Sequence, residues 1–217
     1  MKKFIGIITL VLFTISLVSA QNNTKLEFTV EGLSCWGCAN TAKGVLENLE
    51  GIDSADVNFD TKKAVVYTDG TVTEKEIKDA ISAKNFQALF EGDTTVSPLT
   101  KEEKKGLDIK TIKGGNKIKF EDHLSPGKLT LFDFYADWCG PCKIYSPKVE
   151  RLLLEYENVA VRKVDVVEWK SDLAKQLTKE YKLPALPFTL IFDDQGNLVG
   201  RVEGNSIEEV KKILSDK

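Results

Sequence analysis

The sequence predicts two units in tandem, an α+β unit followed by an α/β unit, and three observations carry that expectation. Apolar residues switch repeatedly between the two-residue spacing of strands and the three-to-four spacing of helices. A polar, charged stretch from Gly92 to Gly106 interrupts this pattern near the middle of the chain. All four cysteines fall into two Cys-x-x-Cys pairs, Cys35/Cys38 and Cys139/Cys142, one in each half.

The 217 residues begin with Lys2 and Lys3, an apolar run from Phe4 to Val18, and Val18-Ser19-Ala20 before Gln21. This fits a secretory signal over residues 1–20 with small residues at the cleavage site. The run is short for a membrane span, and no cysteine follows Ala20 to carry a lipid. The expected location is therefore periplasmic or extracellular, with an uncleaved signal anchor as the lesser reading. Lysine and arginine number 30 against 33 acidic residues, a net charge of −3. Loss of the two signal lysines makes the mature chain more acidic still, which argues against a nucleic-acid partner. Met1 is the only methionine and His123 the only histidine, so a soft-metal site in the mature chain must be built from the cysteines.

In the first unit, residues 25–92, Leu26-Glu27-Phe28-Thr29-Val30 alternates as a strand. Ala39 to Leu49 follows with helical spacing, Val45, Leu46 and Leu49 sharing one face, and Gly51 ends it. Short strands follow at Ala55 to Phe59 and Ala64 to Tyr67. A helix from Thr73 to about Ala83 opens with Thr73 and Glu76 at capping-box spacing. A last strand, Phe86 to Phe90, completes β-α-β-β-α-β, the order of the ferredoxin-like split βαβ unit.

Gly32-Leu33-Ser34-Cys35-Trp36-Gly37-Cys38 joins the first strand to the first helix. Here the chain resembles the heavy-metal-associated domain of copper and mercury carriers, with Leu33 where that family usually has methionine. The resemblance implies metal ligation by Cys35 and Cys38. Two thiolates on a loop and helix N-terminus suit Cu(I), Ag(I) or Hg(II), whereas structural Zn(II) needs four ligands. Trp36 is bulkier than the family's usual residue between the cysteines. Phe86 falls where members place a residue beside the site, and it also reads as a core strand residue.

Residues 93–106 read as a surface linker, with Ser97-Pro98 and Lys101-Glu102-Glu103-Lys104-Lys105 offering little to bury; the charged part could open a short helix. Residues 107–217 form the second unit. Leu129 to Tyr135 is an almost continuous apolar strand interrupted by Asp133, and Trp138-Cys139-Gly140-Pro141-Cys142-Lys143 opens a helix running to about Tyr156. A strand before and a helix after is the context such a motif requires. This unit resembles thioredoxin, and the resemblance implies a thioredoxin-like fold. It also places Pro147 at the family's helix kink, Asp133 at its buried acid, and Pro187 at the cis-proline facing the active site. Pro184 competes with Pro187 for that position, but Phe188 to Phe192 directly after Pro187 reads as the expected strand.

At the helix N-terminus Cys139 is expected to be exposed, with its thiolate favoured, and to attack a substrate disulfide. Cys142, one turn further in, would resolve the mixed disulfide. By the resemblance, Asp133 assists proton removal from the resolving thiol. Lys163 occupies the family's matching lysine position and is either the partner of Asp133 or an exposed strand residue. Redox chemistry of this kind needs no cofactor. Gly140-Pro141 is the thioredoxin dipeptide, associated with a potential of about −270 mV, whereas strongly oxidising relatives lie near −120 mV. Reduction is thus expected over oxidation. Tyr135 to Cys139 also resembles periplasmic reductase domains fed by membrane electron carriers.

His123 reads as a solvated turn residue, and Trp169 as packing near the start of a helix over residues 171–181. The whole suggests a thiol-disulfide oxidoreductase coupled to a Cu(I)-type site, in which Cys139/Cys142 keep Cys35/Cys38 reduced. Its expected partners are a disulfide-containing protein, a membrane or periplasmic electron donor, and a copper transporter or copper enzyme. Two other readings stand beside it: a metal-delivery protein whose second fold docks or matures a copper enzyme, and a two-pair redox relay without metal.

Overall fold

The computed structural model describes residues 24–217, so the segment read as an export signal lies outside the described residues. No described helix is long and apolar enough to cross a membrane.

The first unit follows the order β1 (Thr24–Glu31), α1 (Trp36–Glu47), β2 (Ile52–Val57), β3 (Lys63–Thr68), α2 (Glu74–Ser82) and β4 (Gln87–Leu89). Its antiparallel sheet has the strand order β2-β3-β1-β4. Alternation turns Phe28 and Val30 of β1 inward with Ala64 and Val66 of β3, against Ala42 and Leu46 of α1 and Ile77 and Ile81 of α2. Thr73 and Glu76 form the expected capping box: the Glu76 N–H donates to Thr73 Oγ1 at 3.3 Å, and the Thr73 N–H donates to the Glu76 carboxylate at 2.8 Å.

The second unit contains β5 (Ile109–Ile112), a 3₁₀ turn (Phe120–His123), β6 (Leu129–Tyr135), α3 (Gly140–Glu155), β7 (Val159–Asp165), α4 (Asp172–Tyr181), β8 (Phe188–Phe192), β9 (Leu198–Glu203) and α5 (Ile207–Ser215). Its sheet runs β5-β7-β6-β8-β9; β5, β7 and β6 are parallel, and β8 and β9 antiparallel. The central strand β6 is covered on both faces, which is why it reads as an apolar run rather than an alternation. Phe132 and Phe134 pack toward α4, while Leu131 packs toward α3 and α5. Pro147 stands inside α3, where it leaves one carbonyl without its helical donor.

Residues 93–106 were expected to bury little, and the structure corrects this. Leu99 is buried, and its N–H donates to the buried Glu150 of α3 at 3.2 Å. Lys104 pairs with the same carboxylate at 3.0 Å, and Arg151 Nε donates to the Ser97 carbonyl at 2.9 Å. Glu150 is one residue beyond the reach of composition: an acid on the buried face of α3 captures the passing segment. Thr100 and Glu103 exchange hydrogen bonds in the capping-box manner and begin hydrogen-bonded turns.

Candidate functional site

The turn after β1 requires Gly32, whose φ of +91° is costly for a side-chain-bearing residue. Leu33 then turns into the core, and Cys35 becomes the N-cap of α1. Its sulfur accepts from the Cys38 N–H at 3.2 Å, taking the role a serine usually plays. Helix α1 thus starts at Trp36, three residues before Ala39. Cys35 is exposed and Cys38 half-buried, with the two sulfurs 2.6 Å apart. Ser34 Oγ stands 3.5 Å from Cys38 Sγ. Burial pushes the Cys38 thiol up, but hydrogen bonds from Cys35 and Ser34 outweigh it and hold Cys38 below the ordinary cysteine range. Cys35, as the donor to Cys38, is pushed up. Trp36 packs on Phe59 with ring centroids 5.5 Å apart and leaves Cys35 open despite its bulk. Phe86 is buried in the core.

In the second unit Cys139 is the N-cap of α3 and accepts from the Cys142 N–H at 3.2 Å. The two cysteines form a disulfide. The Leu186–Pro187 peptide is cis, and the Pro187 carbonyl accepts from the Gly204 N–H at 3.0 Å. The exposed thiol expected at position 139 is not found: Cys139 is only 3% exposed. It packs among the core residues at the C-terminal end of β6, and the Gly32–Ser34 loop of the first unit lies against the adjacent Gly140.

Asp133, Lys163 and Thr189 are register neighbours on β6, β7 and β8 and therefore share the sheet face covered by α3. Asp133 is fully buried, and neither carboxylate oxygen has a hydrogen-bond partner; Ser146 Oγ stands near it outside bonding geometry. Desolvation dominates and raises the Asp133 pKa to about 6, with Ser146 and the charge of Lys163 opposing. Lys163 does not pair directly with Asp133. Its ammonium donates to Glu150 at 2.6 Å, because α3 brings that second acid within reach. Burial pushes the Glu150 carboxyl up, but Lys163 and Lys104 together hold it below the usual range. Tyr145 is also buried there, sharing a 2.8 Å hydrogen bond with Thr189.

A cavity of about 290 Å³ opens beside this group, lined by Pro98, Cys142, Ser146 and Lys163 among others. It reaches the Cys142 side of the disulfide. On the other flank Trp138 is exposed, donates from Nε1 to the Val167 carbonyl at 2.6 Å and meets Trp169 at 5.6 Å. Trp169 is accordingly part of the rim beside the disulfide rather than packing for a helix start. His123 is half-buried; its carbonyl accepts from Arg162 at 2.7 Å, and no group of three metal-ligating side chains occurs among the described residues.

Sequence reasoning missed Glu150, Ser146 and the tight approach to Gly140. The four-residue spacing of Ser146 and Glu150 along α3, flanking Val149, places both on its buried face and was the available signal.

A Cys-x-x-Cys disulfide at a helix N-terminus, in a unit that also carries a cis-proline ahead of β8 and a buried acid on β6, defines a dithiol-disulfide redox domain. Comparison with known proteins agrees. The family model "Thioredoxin" matches residues 111–216, and the model "Heavy-metal-associated domain" matches residues 27–87. The chain is 35% identical over 101 residues to a thioredoxin of Mycoplasmoides gallisepticum, covering 45% of this chain and 95% of that protein. Thioredoxin-T of Drosophila melanogaster is 39% identical over 92 residues, 42% of this chain; the chain spans only 55% of that relative's length. Among solved structures, a "CopZ metallochaperone" is 33% identical over 30% of this chain and 100% of its own, with a TM-score of 0.29. The chain belongs to the thioredoxin family through its C-terminal half and carries a heavy-metal-associated domain ahead of it.

Proposed function

We propose that this protein is an exported thiol-disulfide oxidoreductase, acting as a reductase, coupled to a domain that binds Cu(I) or a similar soft metal ion. The observation that carries this reading is the pair of Cys-x-x-Cys helix caps in different settings. Cys139/Cys142 is closed and backed by a buried acid. Cys35/Cys38 is an exposed dithiol with no third ligand nearby among the described residues.

The direction rests on Gly140-Pro141, the dipeptide of reducing thioredoxins, and export rests on residues 1–20. In the catalytic cycle the Cys139 thiolate attacks a substrate disulfide, Cys142 resolves the mixed disulfide, and Asp133 takes up the Cys142 proton. A raised pKa suits Asp133 to that exchange near neutral pH. Pro187 borders the substrate groove, and Lys163 tunes Asp133 by its charge.

At the first site two thiolates suit a two-coordinate soft ion. A soft ion held between the two thiolates would require them to part from their present close contact. Cys35, exposed and ahead of the helix, is free to make that movement. Proposed partners are a disulfide-bearing protein, a membrane or periplasmic dithiol donor, and a copper transporter or copper enzyme. Insulin reduction tests the redox half: turnover abolished by Cys139→Ser supports it, and no turnover by the unmodified protein refutes it in favour of a metal-delivery role.

A further inference from the structure

The two Cys-x-x-Cys loops meet. A Cβ built on Gly140 would overlap the Gly32 carbonyl oxygen and lie 3.1 Å from Ser34 Cβ. Gly140 is in the first turn of α3 without a positive φ, so its own backbone does not demand glycine. The absence of a side chain is what admits the Gly32–Ser34 loop. A second contact lies beside the cis-proline: Asn85 Oδ1 accepts from the Asn205 N–H at 3.0 Å and occupies the space a Cβ on Gly204 would fill. The Gly204 N–H donates to the Pro187 carbonyl, so this contact is tied to the same face as the disulfide. Beside the first contact a cavity of about 410 Å³ is lined by Gly32, Leu33, Gly140 and Ile144 together with Ser97 and Pro98 of the linker.

From this docking we infer that the heavy-metal-associated domain is the resident substrate of the thioredoxin domain, presenting its Cys35–Cys38 pair, when oxidised, to Cys139 within the same chain. The inference rests on the redox reading above and names the substrate. Ser34 precedes Cys35 and Gly140 follows Cys139, so chain geometry holds the two cysteine Cα atoms within about 14 Å. A disulfide needs about 4–7 Å, so any closure asked of the loop is at most about 10 Å. Cys35 is the exposed member of its pair and thus the sulfur attacked.

Cys139 Sγ bonds to Cys35 Sγ, the Cys35–Cys38 bond breaks, and its electron pair leaves on Cys38. Cys142 Sγ then attacks Cys139 Sγ and expels Cys35 as thiolate. Two electrons pass from the second pair to the first, the two protons released by Cys139 and Cys142 are matched by two taken up on Cys35 and Cys38, and the disulfide ends on Cys139/Cys142. An external protein dithiol resets that disulfide. In the docked arrangement the Gly32–Ser34 loop already lies beside Cys139, so the resident domain reaches it ahead of external partners.

The test uses the mature protein with Cys38→Ser and Cys142→Ser, leaving Cys35 and Cys139, oxidised with glutathione disulfide and read by intact mass and non-reducing electrophoresis. An intrachain Cys35–Cys139 bond is expected, forming at a rate independent of protein concentration and slowed at least tenfold by adding Gly140→Ala. Asn85→Gly, which tolerates the positive φ at that position, should slow it as well. Glutathione adducts or intermolecular dimers in place of the intrachain bond, or a bond indifferent to both substitutions, overturn the inference. Insulin turnover by the unmodified protein without the cross-link refutes docking alone, whereas absence of turnover refutes the redox reading beneath it.

Discussion

Asp133→Asn isolates the energetic cost of the buried acid. The carboxyl has no hydrogen-bond partner and its pKa stands at about 6 against an ordinary value of 3.8. Because the folded-state pKa is raised, the stability associated with the neutral acid is fully present below about pH 4 and is lost as pH rises through about 6. A shift of roughly two units corresponds to about 3 kcal/mol once ionisation is complete. Asparagine is nearly isosteric and cannot ionise, so it leaves the low-pH stability alone and removes the loss. Urea unfolding of the oxidised protein, followed by Trp138 and Trp169 fluorescence in a Trp36→Phe background, reports the second unit. At pH 8 the asparagine variant should be more stable by up to about 3 kcal/mol, and at pH 4 the two should agree closely. An equal difference at both pH values, or a less stable variant at pH 8, would refute the assignment of an unpaired, desolvated acid.

Glu150→Gln removes the buried acceptor shared by Lys163, Lys104 and the Leu99 N–H. It should cost about 3 kcal/mol of stability in the same urea assay, at the low end for a broken buried pair because both lysines are partly exposed. The same change removes a nearby negative charge and frees Lys163, so the pH midpoint assigned to Asp133 should move down; an upward move contradicts the network. Ser34→Ala deletes a hydrogen bond that lowers the Cys38 pKa, and the pH–rate profile of Cys38 alkylation should move to higher pH. An unmoved profile would show that Ser34 does not hold that thiol.

How much of this was legible in the sequence depended on whether the deciding interaction was local. Strands β6 and β8 lie where their apolar runs placed them, since burial on both faces leaves no alternation to misread. The Thr73–Glu76 capping box is a contact over three residues and could be read directly. Strand β5 escaped notice because Ile-Lys-Thr-Ile is an edge strand whose polar residues face solvent. Helix α1 began early because a cysteine thiol served as its cap. The linker looked unburied because its anchor, Glu150, belongs to another element. The resemblance left Lys163 as either the partner of Asp133 or an exposed strand residue; it is the register neighbour of Asp133, but its ion-pair partner was decided by α3, which the pattern of β7 does not contain. The approach of Gly32 to Gly140 is a tertiary contact, and a glycine within a redox motif gives no sign of it.

Soft-metal binding by Cys35 and Cys38 is what couples the redox chemistry to metal. A Cu(I) competition titration of the reduced mature protein carrying Cys139→Ser and Cys142→Ser leaves only Cys35 and Cys38 to bind. Tight one-to-one binding, lost on further Cys35→Ser substitution, is the predicted result. No binding would contradict the coupling of redox chemistry to metal and leave a reductase whose first domain serves as a relay or dock.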